Sequence, residues 1–167
     1  MRIIKRNIII NNNIKFRKNT AYEDIDFVRI AMFYCRKISF SDMVLYNYRD
    51  NENSITNQFT LNNQIHQKMA AIKFLIKKYI DFGAYNDYKD EFTYFIYKTY
   101  VIMVNYAITL EKDEVSLELF KELHDFFFDL VDYEYGDNKY IWEMSEEDRL
   151  AAEVNNLDYA QLFSIYS

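Results

Sequence analysis

Residues 37–50 read "KISFSDMVLYNYRD". This stretch decides the fold class, because nearly everything around it reads as helix. Ile38 and Phe40 alternate with polar neighbours, and Val44, Tyr46 and Tyr48 alternate again. Alternation at period two marks a strand with one buried face, so two short strands are expected over residues 37–40 and 43–49. The polar loop "DNENSITN" follows. The expected class is α+β, mainly α: a short strand pair near the N-terminal third, then a helical bundle-like tail.

The tail carries the helical period. Leu61, Ile65, Met69, Ile72, Ile76 and Tyr79 form one stripe, and Gly83 is a suitable stop. A second helix is expected from Asp87 to Leu110, with Phe92, Phe95, Ile96, Thr99 and Met103 inward. "EKDE" breaks it, and a third runs from Val115 to Tyr133 with Leu119, Leu123, Phe126, Phe127 and Leu130 inward. Ser145 and Asp148 mark the cap of a short helix near residues 146–154. Upstream, "NIII" is compatible with a helical turn or a strand, and "NNNIKF" reads as a turn into a short strand. A helix from Glu23 to Arg36 follows, with Ile25, Val28, Met32 and Cys35 at helical spacing. Thr20 with Glu23 three residues on fits a capping box. No internal repeat or linker-like stretch is seen, so one domain over residues 1–167 is the simplest organisation.

Composition agrees with long helices. The chain has 16 Tyr and 14 Phe but only 2 Gly and no Pro, too few for many tight turns. At 167 residues and 50% apolar it can bury a real core and is not a disordered tail. Cys35 is the only cysteine, which excludes an intrachain disulfide and fits a reducing, cytoplasmic setting. With His66 and His124 far apart, the usual Cys/His zinc site is not supported. Cys35 itself, in an apolar helical run, reads as a buried structural thiol.

Charge is unevenly spread. Residues 1–18 carry six basic residues and no acid, whereas residues 111–167 carry four basic and sixteen acidic residues. The basic start suits a solvated segment, phosphates or an anionic membrane surface. The acidic end argues against extended nucleic-acid contact. Residues 92–110, "FTYFIYKTYVIMVNYAITL", contain Lys98 and Asn105; a central Lys alone costs about 2.5–3.5 kcal/mol on insertion, so the segment reads as a buried amphipathic helix.

Two constellations bear chemistry. "TAYEDIDFVRIAMF", residues 20–33, sets Glu23, Asp24 and Asp26 ahead of an apolar run. Acids in a first helical turn offset the helix dipole. A carboxylate fixed at a helix start is also suited to act as a general base, and Asp24 is the better candidate because Glu23 is engaged in the cap. "DID" matches a pair of Asp residues able to hold a divalent cation, but such pairs usually end a strand, and this one precedes a helix. The second constellation is "LYNYRDNENSITN", residues 45–57, where Arg49 and the Ser54–Thr56 loop suit a phosphate or carboxylate. An Arg paired with a nearby acid and a capped turn is the plainer reading of the same residues.

Three blocks in order carry a resemblance. "KRNIIINNNIKF", "YEDIDFVRIAMF" and "KISFSDMVLYNYRDNENSITN" resemble consecutive segments in the C-terminal half of bacterial family 2 glycosyltransferases, which build capsule, exopolysaccharide and lipopolysaccharide. The likeness covers residues 3–57; the remainder resembles that family's variable helical tail in kind only. It implies a GT-A fold, with residues 1–60 as its acceptor-side portion and residues 61–167 as a helical C-terminal extension. The reaction implied is transfer of a sugar from a nucleotide-sugar donor to a glycan or lipid-linked acceptor. By the resemblance Asp24 is the base that deprotonates the acceptor hydroxyl, Glu23 is its partner, and Arg49, Ser54 and Thr56 line the substrate. No metal site or other cofactor is expected in this chain. The implied divalent cation, Mg or Mn, belongs with a donor-binding half that these residues do not contain, so the chain alone is expected to be inactive. The implied place is cytoplasmic, with peripheral contact at the inner face of the membrane, alongside a partner domain or chain and no nucleic acid. The rival expectation is a non-catalytic helical protein-interaction domain using the aromatic stripes as its surface.

Overall fold

The computed structural model describes residues 2–44, 46–47, 61–110, 117–130 and 138–143. Every regular element among them is a helix: α1 (Arg6–Asn11), α2 (Glu23–Phe33), α3 (Leu61–Asp81), a 3-10 turn (Asn86–Tyr88), α4 (Lys89–Leu110), α5 (Leu117–Leu130) and α6 (Lys139–Trp142). The chain divides into two compact units, Met1–Asp81 and Phe82–Ser167.

The expected strand pair is not seen among the described residues. Residues 37–44, 46 and 47 have no regular secondary structure and are exposed, while Leu45, Tyr48 and Arg49 lie outside the described residues. Alternating apolar residues make a strand only when a neighbouring strand takes the backbone hydrogen bonds and a core takes one face. Neither is found among the described residues, so the fold class is mainly α rather than α+β. The short strand expected after "NNN" is also absent. There α1 ends in a Schellman motif: Asn13 is left-handed at φ 49°, its N–H donates to Ile10 O, and Ile14 N–H donates to Ile9 O.

In the first unit α2 packs on α3. The core holds Ile14, Ile30, Ala31, Ile65, Ile72 and Leu75, among others; of the stripe expected on α3, Ile65, Ile72, Ile76 and Tyr79 are buried and Met69 is half-buried. On α2 the stripe is misphased. Asp26, Ile30 and Ala31 are buried, Met32 is exposed, and Cys35 lies two residues past the helix end, half-buried, its thiol donating to Ala31 O at 3.3 Å. The buried face has a carboxylate in it, which makes it read as polar.

In the second unit α4 packs on α5, α6 and the 3-10 turn. Phe127 of α5 stacks on Tyr100 (ring centroids 4.7 Å) and meets Tyr97 at 5.6 Å. Asn138 caps α6: its Oδ1 accepts from Tyr140 N and Ile141 N, and its Nδ2 donates to Asp90 O at 2.8 Å. Among the described residues no helix is long and apolar enough to cross a membrane. The helix expected near residues 146–154 lies outside the described residues.

Candidate functional site at the start of α2

Residues 14–22 run from the end of α1 to the start of α2 and are pinned by side chains. Ile14 is buried, Phe16 stacks on Phe27 at 3.8 Å, and the guanidinium of Arg17 lies 5.9 Å from the Phe74 ring centroid. Arg17 Nε donates to Asp26 Oδ1 at 3.0 Å. The Asp26 side chain is fully buried and that of Arg17 is 12% exposed, so this ion pair sits inside the first unit. The pair is incompletely satisfied: Arg17 Nη2, Asp26 Oδ2 and the neighbouring Thr20 Oγ1 are buried without a hydrogen-bond partner among the described residues. Burial pushes the Asp26 carboxyl above the usual carboxylate range, against the opposing pull of the Arg17 hydrogen bond and charge.

The helix start is not the expected capping box. Its N-cap is Tyr22, left-handed at φ 57°, with no side-chain cap bond, and Glu23 is the first helical residue rather than the third. Thr20 lies three residues upstream of the helix with its hydroxyl buried. What holds Tyr22 is tertiary: its hydroxyl donates to Gln64 Oε1 at 2.7 Å, and Lys68 Nζ lies 5.0 Å from its ring centroid. Gln64 and Lys68 both come from α3, and burial lowers the affinity of Lys68 for its proton. Nearly two turns into α2, Arg29 Nη1 donates to Ile25 O at 2.8 Å, while Tyr79 of α3 donates to Arg29 O at 3.2 Å.

Of the five residues expected at the site, the structure places two. Asp24 is exposed and Glu23 half-buried, side by side in the first turn of α2. Arg49, Ser54 and Thr56 lie outside the described residues, so the structure neither joins them to the acids nor separates them. Sequence reasoning missed Arg17, Asp26, Tyr22 and Gln64. One signal was present for Asp26: it stands four residues before Ile30, in line with a buried face. Nothing in the sequence marks Tyr22 as left-handed.

Comparison with known proteins found no matching family model, no matching curated protein and no matching solved structure.

Chemically, the three acids of the turn are not equivalent. Asp26 is sealed and serves as an anchor. Asp24 faces solvent where the helix dipole favours a negative charge, and it can meet a hydroxyl brought to it. Among the described residues no group of three or more His, Cys, Asp and Glu side chains is placed to hold a metal ion.

Proposed function

We propose that this chain is the acceptor-side part of a glycosyltransferase of the family 2 kind, in which Asp24 takes the proton of the acceptor hydroxyl. The observation that carries the reading is the division of labour within one helical turn: Asp24 is exposed, while Asp26, two residues on, is buried and tied to Arg17. A general base must be held in place and still reach its substrate, and this turn meets both requirements. An acceptor alcohol is a poor nucleophile, and a carboxylate removing its proton as the new glycosidic bond forms lowers that barrier. Glu23 is the neighbour of Asp24 in the first turn and adds to the negative charge that the helix start favours. In this reading Arg49, Ser54 and Thr56 contribute to the acceptor or diphosphate side. The nucleotide-sugar donor and the divalent cation that neutralises its leaving diphosphate are bound outside the residues described. The chain on its own does not transfer sugar.

The test is Asp24→Asn in the enzyme that joins this chain to its donor-binding part. Turnover is expected to fall to background with donor binding nearly unchanged. Full activity of the variant would make Asp24 a helix-dipole residue and nothing more. Sugar transfer by the isolated 167 residues would overturn the division into two halves.

The rival is a non-catalytic helical interaction domain. It is favoured by the lack of strands among the described residues, and it predicts that Asp24→Asn is silent in every assay.

A further inference from the structure

Charge follows the division into units. The first unit carries fourteen Lys and Arg against seven Asp and Glu, a net of +7; the second carries six against nineteen, a net of −13. Exposed apolar side chains follow the same division. Of the twelve large hydrophobic residues exposed among the described residues, ten belong to the first unit.

Five of the ten fall between residues 38 and 46: Ile38 is 50% exposed, Phe40 96%, Met43 70%, Val44 86% and Tyr46 63%. Arg36 and Lys37, both exposed, stand at the start of this segment. Residues 2–22 repeat the combination. Ile3, Ile10 and Phe16 are exposed among the exposed cations Arg2, Lys5, Arg6, Lys15 and Lys18, and no acid occurs before Glu23.

We propose that the first unit docks on an anionic phospholipid surface. The side chains of Ile38, Phe40, Met43, Val44 and Tyr46 enter the boundary between headgroups and acyl chains, and the exposed cations of residues 2–18 and 36–37, Arg17 apart, pair with lipid phosphates. Apolar residues with no regular backbone and flanking cations suit that boundary, where water still satisfies the peptide groups and the hydrocarbon takes the side chains. Nucleic acid fits less well, because five of the eight exposed apolar residues of these two segments, Ile3, Ile10, Ile38, Met43 and Val44, offer a base nothing to stack on. The charge division matters because the whole chain, at −6, would be repelled by an anionic bilayer if its charge were evenly spread. With no membrane-crossing helix among the described residues, docking through these residues is peripheral.

The test is co-sedimentation of the full chain with vesicles of phosphatidylcholine alone and of phosphatidylcholine with about 30% phosphatidylglycerol. Binding to the anionic vesicles is expected to be at least about tenfold tighter and to weaken as salt is added. Phe40→Ser with Val44→Ser should weaken it by on the order of tenfold, and both positions are too exposed for the pair to disturb folding. Lys5→Glu with Lys37→Glu should weaken it about a hundredfold. Equal binding to both vesicles, no binding, or binding indifferent to the Phe40 and Val44 changes would overturn the proposal. So would self-association of the chain that these two changes abolish, since a second copy would then cover the patch. The assay reads no sugar transfer, so its outcome is independent of the role of Asp24.

Discussion

Replacing Asp26 separates the two things its carboxylate does, accepting a hydrogen bond and carrying a charge. Asp26→Ala removes both. It leaves Arg17, only 12% exposed, without the acceptor that now lies 3.0 Å from its Nε. A buried cation stripped of its partner costs about 3–5 kcal/mol, so the first unit should be destabilised by that amount near neutral pH. Asp26→Asn keeps an oxygen facing Nε and discards only the charge. Burial is the largest influence on this carboxyl and outweighs the help from Arg17, so the charge is a net burden in the folded state. The expected cost of Asn is under about 1 kcal/mol. The same shift fixes the pH dependence. A carboxyl whose folded pKa lies above its unfolded value of about 3.9 contributes stability that is complete below that value and is lost as pH rises through the folded one. Acidification from neutral pH toward the unfolded value should therefore favour the wild type over Asp26→Asn, against the usual trend for paired carboxylates. The assay is urea unfolding at a series of pH values, followed by pulse alkylation of Cys35. That residue is the only cysteine and is half-buried in the first unit, so its labelling reports on that unit. If Asn proves as damaging as Ala, the charge holds the pair together and the reasoning fails.

Two further changes test the second unit and its entry. Asn138→Ala removes two cap bonds on α6 and leaves Asp90 O without its Nδ2 donor at a site 1% exposed; a loss of about 2–3 kcal/mol is expected, read from the urea midpoint by far-UV circular dichroism. Gly83→Ala meets no atom within 4 Å of the added Cβ, but the backbone there has φ +68°. Its cost of about 1 kcal/mol should therefore be purely conformational, and Gly83→Asn, which tolerates that region better, should cost less by the same measurement.

The long helices were legible because their cores obey the simple period. Ile65, Ile72, Ile76 and Tyr79 on α3, and Leu119, Leu123, Phe126 and Phe127 on α5, face inward as their spacing requires, and Gly83 ends its helix region in the left-handed conformation. The strand pair was misread because alternation at residues 38–46 is a local property, whereas a strand is a paired one. The phase of α2 was misread because a charge stands in its buried face, and only Arg17, nine residues upstream, makes that burial tolerable. At the candidate site, the acids and their place at a helix start could be read directly. Which acid is sealed and which is open could not, because that depends on contacts from residues 14–22 and from α3 that no local pattern encodes. The role of Arg49, Ser54 and Thr56 rests on sequence alone.

Tyr22 shows how the start of α2 is braced. A bulky residue held left-handed is strained by roughly 1 kcal/mol or more, and local capping chemistry does not relieve it, since the hydroxyl of Thr20 bonds nothing among the described residues. The contacts that hold Tyr22 in that conformation, Gln64 and Lys68, come from a helix some forty residues further along the chain. The start of α2 is therefore tied to α3 through Tyr22. The turn that carries Asp24 is thus braced by tertiary packing as well as by the helix to which it belongs.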